Sequence, residues 1–245
     1  IQGGLIQGVT TVGTVVYFDG RRVRVSDTGI FIVGLGRLAP SEAILELHYP
    51  TGKIHVERLF IKSRRYHTQR IDGLSGEKVI PPKNVLERIA SESARVSLVR
   101  QRDDDRTDFL TGFIWPVLGK ITGVYGSQRI LNGEQRSPHY GIDIAVPVGT
   151  QVRAPADGIV SLIADDLYFS GGTLIVDHGH GLSSTFLHLS KITVGLGQRI
   201  LRGDVIAEVG ATGRTTGPHL DWRMNWFEVR IDPELAIKSG EWEMQ

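Results

Sequence analysis

Residues 158–188 read GIVSLIADDLYFSGGTLIVDHGHGLSSTFLH, and this stretch gives the clearest indication of the fold class. Three short segments within it, at 158–164, 173–176 and 184–188, are rich in Val, Ile, Leu and Thr. Clusters of Gly, Asp and Ser separate these segments. Short apolar, β-branched segments bounded by such turn residues are typical of β-strands. The stretch therefore predicts consecutive antiparallel strands.

Similar segments fill the rest of the chain on both sides of this stretch. In the second half we predict further strands, and no helix, at 122–125, 141–145, 151–153, 205–209 and 219–226. In the first half, strands at the close spacing of a small β-sandwich are predicted at 14–18, 22–25, 30–33, 43–49, 53–61 and 66–71. Pro81 and Pro82, followed by apolar residues on one helix face, predict one connecting helix. The 30 glycines among 245 residues agree with many tight turns. The predicted fold class is therefore mainly β: a small N-terminal β-sandwich-like domain, a connecting helix and an all-β antiparallel C-terminal domain.

Charge is distributed unevenly and suggests two units. Residues 1–110 carry 17 Lys+Arg and 13 Asp+Glu, whereas residues 111–245 carry 11 and 14. Residues 100–108 contain no apolar side chain, which is the composition of an exposed linker. We therefore predict an N-terminal β domain at 1–80, a connecting helix and linker at 81–110, and a C-terminal domain at 111–245.

Composition excludes several classes of protein. A formal charge of +1 argues against nucleic acid as a partner, and no apolar run reaches the 18 residues of a membrane span. The absence of Cys excludes disulfide frameworks, thiolate zinc sites and cysteine nucleophiles. Residues 1–9 lack the basic start of a targeting segment, so we expect any signal or anchor to lie outside this stretch.

Histidine and aspartate placement gives the chemical signal. His139 and Asp143 form an H-x-x-x-D pair, and His219 and Asp221 form an H-x-D pair inside a predicted strand. Since side chains alternate across a strand, residues 219 and 221 should project from one face. His139, Asp143 and either member of the second pair could supply the three N or O ligands of a catalytic zinc site. The alternative is three unrelated surface polar groups.

At these residues the chain resembles the lysostaphin-like (LytM-type) zinc endopeptidases of bacterial cell walls. The resemblance covers about residues 113–233 and rests on five blocks in order: HYGID at 139–143, APADG at 154–158, DHGHG at 177–181, HLS at 188–190 and TGRTTGPH at 212–219. It implies a LytM-type peptidase domain in which zinc is bound by His139, Asp143 and residue 221, with His188 and His219 acting catalytically on the substrate. The family has a second histidine where this chain has Asp221, so the sequence departs from the family at one ligand.

The implied function is zinc-dependent hydrolysis of peptide cross-links in bacterial peptidoglycan. An Asp ligand at 221 would add a second negative charge, which should lower the Lewis acidity of the metal and temper activity. The substrate would be a cross-link between stem peptides or, as the second choice, an interpeptide glycine bridge. The site of action would be the periplasm or cell envelope.

Two other functions fit parts of the pattern. The first is a catalytically degenerate LytM-type binding module that regulates other cell-wall hydrolases, which would then be its partners. Retention of His139, Asp143, His188 and His219 favours the enzyme over this alternative. The second is a biotin or lipoyl carrier domain, suggested by residues 154–160 and 194–205. A carrier needs a modified Lys at an exposed hairpin tip, and the lysines at 120, 191 and 238 do not match that setting.

Overall fold

A computed structural model of the chain describes residues 1–72 and 81–239, and most of its regular structure is strand. The strands, in chain order, are β1 (Leu5–Val9), β2 (Val15–Phe18), β3 (Arg21–Val23), β4 (Ile30–Gly34), β5 (Glu42–His48), β6 (Ile54–Phe60), β7 (Thr68–Ile71), β8 (Lys120–Gly123), β9 (Gln128–Leu131), β10 (Glu134–Arg136), β11 (Ile142–Ala145), β12 (Gln151–Arg153), β13 (Gly158–Leu167), β14 (Gly171–Asp177), β15 (Leu182–Ile192), β16 (Arg199–Ile200), β17 (Val205–Val209), β18 (Leu220–Trp226) and β19 (Val229–Ile231). The helices are α1 (Leu86–Arg100) and α2 (Pro233–Ser239). The predicted fold class, mainly β with a connecting helix, is confirmed.

The C-terminal half is built around one ten-stranded antiparallel sheet. Its main path runs β16-β13-β14-β15-β18-β11-β8, while β12 and β17 pair beside β15 and β19 pairs with β18. Every residue of β14 is buried, as expected for a central strand that is covered on both faces. The predicted strands at 158–164, 173–176 and 184–188 are therefore the middle of this sheet.

The N-terminal half forms two smaller sheets. One has the order β3-β2-β5-β6, and the other pairs β1 with β4. Alternate residues of β2 are buried, including Val16 and Phe18, and these join Ile32 and Val33 of β4 in the core. Strand β1 was not among the predicted strands, because Leu5–Val9 includes Gln and Gly and lacks a long apolar run.

The two halves share a core. Phe18 packs edge-on against Trp226 with ring centroids 6.4 Å apart, and a Cβ atom on Gly34 would lie only 2.6 Å from the Trp226 Cβ. Strand β7 pairs in parallel with β9, which joins the first half to a three-stranded sheet of the second. The domain boundaries at 80 and 110 stay a prediction, but extensive packing crosses them.

The segment 100–108 is only partly an exposed linker: residues 101–103 and 105 are exposed, as expected, but the two ends of the segment are buried. Arg100 and Asp108 are only 7% and 8% exposed. Arg106 forms ion pairs with Asp104, Asp108 and, at 2.5 Å, with the buried Asp177 of β14. A run of charged residues can be buried when its charges pair with one another and with the sheet beneath.

Helix α1 lies against this sheet. Its residues Val96 and Val99 pack on Leu162 and Ile175 of β13 and β14. A second helix, α2, corrects the expectation that the C-terminal half holds no helix; it is too short to show a clear helical period in the sequence. Within the described parts of the chain, no helix combines the length and the apolar character that crossing a membrane requires.

Candidate metal centre

Two neighbouring strands bring the predicted ligands together. In the antiparallel pair of β11 and β18, Asp143 lies directly opposite Asp221. His139 lies three residues before the first residue of β11. Residues that face each other in such a pair project from the same side of the sheet. One ligand atom from each of His139, Asp143 and Asp221 lies within 4.8 Å of the others, and all three side chains are buried.

This cluster contains polar atoms that are buried without partners. Among the described residues, neither ring nitrogen of His139 has a hydrogen-bond partner, and the same is true of Asp143 Oδ1. The nearest approach is 3.1 Å between His139 Nε2 and Asp143 Oδ1. Buried polar atoms without partners are unfavourable unless something binds them. One imidazole and two carboxylates form a donor set that suits a divalent metal ion such as zinc.

Two arginines contact the outer sides of the carboxylates. Arg129 Nη2 donates to Asp143 Oδ2 at 2.8 Å. Arg223 donates from Nε to Asp221 Oδ1 at 2.9 Å and from Nη2 to Oδ2 at 2.6 Å. Burial alone would raise the pKa of Asp221, but the charges of Arg223, His139 and His188 outweigh it and hold this pKa well below its usual range. Both carboxylates are therefore compensated by a guanidinium.

His188 is placed beside the cluster by an irregularity in β15. One extra residue lies between Phe186 and Leu189 relative to β14, and within this bulge His188 has φ +63°. Bulges and positive φ values at non-glycine residues often re-aim side chains at functional sites. The His188 Nδ1–H donates to the Thr212 carbonyl oxygen at 2.8 Å, which leaves Nε2 as the unprotonated nitrogen of the neutral ring. Burial lowers the pKa of His188.

His219 lies next to His188 and close to Asp143. Its Nδ1–H donates to the Gly217 carbonyl oxygen at 2.9 Å, and its Nε2 is 3.8 Å from Asp143 Oδ1. The rings of His188 and His219 have centroids 4.8 Å apart. Strand β18 begins at Leu220, so His219 stands just before the strand in which it was predicted.

All five residues singled out in the sequence are thus brought together. Sequence reasoning missed Arg129 and Arg223. Arg223 carried a usable signal, because it lies two residues after Asp221 and so on the same face of β18. Arg129 carried none, since it reaches Asp143 from the separate strand β9. His178 lies outside the cluster: its ring nitrogens contact the Asp157 carbonyl oxygen and Ser184 Oγ, which indicates a structural role.

Comparison with known proteins agrees with this geometry. The profile of peptidase family M23 matches residues 137–233. The chain is 42% identical over 104 residues to peptidoglycan DD-endopeptidase ShyA of Vibrio cholerae. This alignment covers 42% of the present chain and 23% of ShyA. The chain is 40% identical over 104 residues to DD-carboxypeptidase/endopeptidase Mpg of Neisseria meningitidis, covering 42% and 24%. The chain thus spans about a quarter of the length of these curated relatives.

A solved structure extends the likeness to almost the whole chain. The crystal structure of a Pseudomonas aeruginosa protein described as a peptidase M23 is 34% identical and superimposes with a TM-score of 0.76. The match covers 97% of this chain and 94% of that one, so it includes the N-terminal sheets and α1 as well as the candidate centre. With the buried His-Asp-Asp cluster between β11 and β18, this shows that the chain belongs to peptidase family M23.

Proposed function

We propose that the chain is a metal-dependent endopeptidase that hydrolyses peptide cross-links of bacterial peptidoglycan. The observation that carries the proposal is the cluster of three buried ligand atoms within 4.8 Å of one another, flanked by two imidazoles. The names of its relatives, peptidoglycan DD-endopeptidase and DD-carboxypeptidase/endopeptidase, support the substrate class. Because that substrate lies in the cell envelope, we propose the periplasm or envelope as the place of action.

The proposed cofactor is a zinc ion held by His139, Asp143 and Asp221. The partnerless nitrogens of His139 and the partnerless Oδ1 of Asp143 are the atoms such an ion would satisfy. A bound zinc ion supplies a Lewis acid that polarises the scissile carbonyl and lowers the pKa of a water molecule. Three protein ligands leave the open coordination position that catalytic zinc sites require.

His188 and His219 are the proposed catalytic residues. Each ring donates its Nδ1–H to a backbone carbonyl oxygen, so each neutral ring has Nε2 available as an acceptor. An imidazole in this state accepts a proton from an attacking water molecule and, once protonated, donates to a developing oxyanion or leaving amine. Burial lowers the pKa of His188 and so favours its neutral form, which is the form that can accept a proton.

Asp221 in place of histidine adds negative charge to the proposed site. The hydrogen bonds from Arg129 to Asp143 and from Arg223 to Asp221 draw electron density away from the two carboxylates. We therefore propose that the two arginines offset part of the charge that the second carboxylate brings, so that the proposed ion retains Lewis acidity. Activity is expected to be tempered rather than lost.

A degenerate binding module that regulates other cell-wall hydrolases is the second candidate function. The observation that favours it is the bidentate Arg223–Asp221 pair, in which both carboxylate oxygens already accept a hydrogen bond. If Asp221 serves only as the partner of Arg223, two ligands remain, which is too few for a catalytic site.

Digestion of purified wall sacs separates these functions. We expect the protein to convert cross-linked muropeptide dimers into monomers without creating reducing sugar ends, because peptide hydrolysis leaves glycan strands intact. His219→Ala should lose this activity. His55→Ala, which removes an exposed imidazole on β6, should retain it and serves as the matched control. A parent protein that binds sacs without consuming dimers would instead support the binding module.

A further inference from the structure

A cavity of about 400 Å³ lies between α1 and the central sheet, outside the candidate metal centre. Ile89 and Val96 of α1 line one side of it, and Leu167 and Leu187 of the sheet line the other. The volume falls within the range of small-molecule sites, which combine mostly apolar walls with a few placed polar groups. The cavity is therefore large enough for a short stretch of peptide.

Two arginines in the cavity wall form no close ion pair with a carboxylate in the part of the chain that the structure describes, although Glu228 attracts both of them at longer range. Arg100, at the end of α1, is only 7% exposed, and its Nε has no hydrogen-bond partner among the described residues. Arg230 of β19 donates only to the neutral Asn225 side chain, at 3.2 Å, in the part of the chain that the structure describes. An ionised guanidinium buried without an anion is unfavourable, so this pair of charges is a stability cost that a bound anion would remove.

The pKa values of these arginines agree with an unfilled anion site. Burial, followed by the charges of Arg230 and Arg223, lowers the pKa of Arg100 to about 9, and the smaller opposing effect of Glu228 does not offset this. Burial, followed by the charge of Arg223, lowers the pKa of Arg230 to about 10, although Glu228 and Asp221 oppose the shift. Both groups nevertheless stay protonated at neutral pH. A bound anion would reverse the shift, because an opposite charge nearby favours the protonated guanidinium.

The two acidic residues in the cavity wall accept hydrogen bonds from groups other than Arg100 and Arg230. Glu228 accepts from Ser97 Oγ at 2.7 Å. Glu92 accepts from Arg88 Nε at 2.6 Å and from the Tyr168 backbone N–H at 2.8 Å. The wall also offers an unused hydroxyl, because the buried Thr185 Oγ1 has no partner among the described residues. Arg100 and Arg230 thus outnumber the one carboxylate that attracts both of them, Glu228, and among the described residues the wall also holds one buried hydroxyl without a partner.

The cavity adjoins the proposed active site at Arg223 and Leu187. Arg223 lines the cavity and also donates to both oxygens of Asp221. Thr185 lies opposite Arg223, and Leu187 lies opposite Asp221, in the pairing of β15 with β18. A ligand in the cavity would therefore sit along the same two strands as the proposed metal ligands.

We propose that this cavity is a subsite that binds a free carboxylate group of the peptide substrate through Arg100 and Arg230. The assignment rests on the proposed function, because peptidoglycan stem peptides are the substrates that bring such carboxylates beside a scissile bond. Guanidinium groups suit the planar, two-oxygen geometry of a carboxylate, and the apolar wall suits a small aliphatic side chain such as that of alanine. The subsite would orient the peptide relative to the metal centre.

Calorimetric titration tests this assignment in the presence of EDTA, so that hydrolysis plays no part. The probe is a stem tetrapeptide ending in D-alanine, compared with versions in which each free carboxylate is converted in turn to an amide. We expect amidation of one carboxylate to weaken binding about 10-fold or more, because this is the typical contribution of a hydrogen bond to a charged group. Arg100→Gln and Arg230→Gln should abolish this difference, whereas Arg95→Gln, an exposed arginine of α1 outside the cavity, should preserve it.

Thermal unfolding provides a second readout. Arg100→Gln removes an unpaired buried charge, so its midpoint should equal or exceed that of the parent, whereas a purely structural arginine would lower it. If Arg100→Gln fails to fold, Arg100→Lys is the second variant, because it keeps the positive charge but lacks the planar guanidinium group. It should still reduce the preference for the free acid. A midpoint well below that of the parent, with the preference unchanged, would overturn the role of Arg100.

The results of these experiments can overturn the proposed subsite without overturning the proposed endopeptidase function, and the reverse. Equal binding of the free acid and all amides, or an unchanged preference in Arg100→Gln, would overturn the subsite even if sacs are digested. Competition by inorganic phosphate as strong as that of the peptide would also overturn it, by showing a general anion site. A carboxylate preference that depends on both arginines supports the subsite even if no sac digestion is found.

Discussion

The Asp221 carboxylate accepts two hydrogen bonds from Arg223 and still faces His139 and Asp143. An ionised carboxylate has about four lone-pair positions, so a bidentate guanidinium leaves acceptor capacity for a further bond. Its pKa is held well below the usual range by Arg223, His139 and His188 against the effect of burial, so it stays ionised at neutral pH. At the residue scale, the ion pair with Arg223 and metal binding are therefore compatible.

His178 provides a pH-dependent test at the same scale. Its ring is fully buried between the Asp157 carbonyl oxygen and Ser184 Oγ, and burial lowers its pKa to about 4, from 6.5. Because the unfolded chain binds the proton more readily, this group favours folding fully above pH 6.5 and loses that contribution as pH falls toward 4. Chemical unfolding at pH 7 and pH 5 should show a stability loss about 2 kcal/mol smaller in His178→Gln than in the parent. Equal losses in the two proteins would contradict a buried neutral His178.

The residues of the candidate metal centre differ in how far the sequence could predict them. His139 and Asp143 lie close in sequence, and Asp221 lies two residues after His219, so local spacing marked both pairs as candidate ligands. The choice of Asp221 over His219 as the third ligand came from the family resemblance. The contact of Arg129 with Asp143 depends on how β9 folds over β11, which no local pattern encodes. The bulge that turns His188 toward the centre depends in the same way on its pairing with β14.

At the scale of elements, the turn between β14 and β15 anchors the segment that follows α1. The His180 backbone N–H donates to the Asp104 carbonyl oxygen at 3.0 Å, and Arg106 pairs with Asp177 at the start of the turn. Gly179 has φ +87°, and a Cβ atom there would overlap the Arg106 carbonyl oxygen. The turn needs glycine both for its conformation and for this close approach.

Gly179→Ala should therefore destabilise the protein far more than a matched glycine substitution. Gly52 has nearly the same conformation, φ +84°, but a Cβ atom there would meet nothing within 4 Å. We expect Gly52→Ala to cost about 1 kcal/mol from backbone strain alone, and Gly179→Ala to cost about 3 kcal/mol or more because the backbone must also move. Urea unfolding of the two variants measures both. Similar losses would show that segment 104–106 does not press on the turn.

The charge pattern of residues 100–108 shows why this anchoring escaped prediction. Composition separates solvated runs from apolar ones, but it does not say where the opposite charge for each residue lies. Here the partner of Arg106 is Asp177, more than 70 positions away, and the partner of Arg24 is Asp103. Strands and the connecting helix were predictable because their periodicity is local, whereas ion pairs between distant segments are not.

At the scale of the whole molecule, the N-terminal sheets cover part of the C-terminal core. Phe18, Phe31 and Val33 belong to the same buried cluster as Trp226 and Ile231. Arg21 stacks over the Phe227 ring at 3.9 Å, and Arg64 pairs with the buried Asp232 at 2.7 Å. Burial of each large apolar side chain contributes about 1.5–3 kcal/mol. The packing between the N-terminal sheets and the C-terminal core therefore contributes a substantial part of the free energy of unfolding.

A fragment that begins at residue 109 should therefore be unstable. It would expose Trp226 and Ile231 and would lose the ion pair to Asp232. We expect its circular-dichroism melting midpoint to fall about 10 °C or more below that of the full chain, or the fragment to be insoluble. A fragment that melts at the same temperature as the full chain would mean that the two halves fold independently.

Zinc titration of the metal-free protein tests whether His139, Asp143 and Asp221 form a metal site. The parent should bind about one equivalent, and His139→Ala should bind less than about a tenth of an equivalent at the same zinc concentration. Asp221→Asn keeps the shape of the side chain but removes its charge, and it should weaken binding by more than the roughly 100-fold upper limit for a residue that only orients a ligand. His55→Ala should bind as the parent does. A parent that binds less than about a tenth of an equivalent, or a His139→Ala variant that binds zinc as tightly as the parent, would contradict the proposed site.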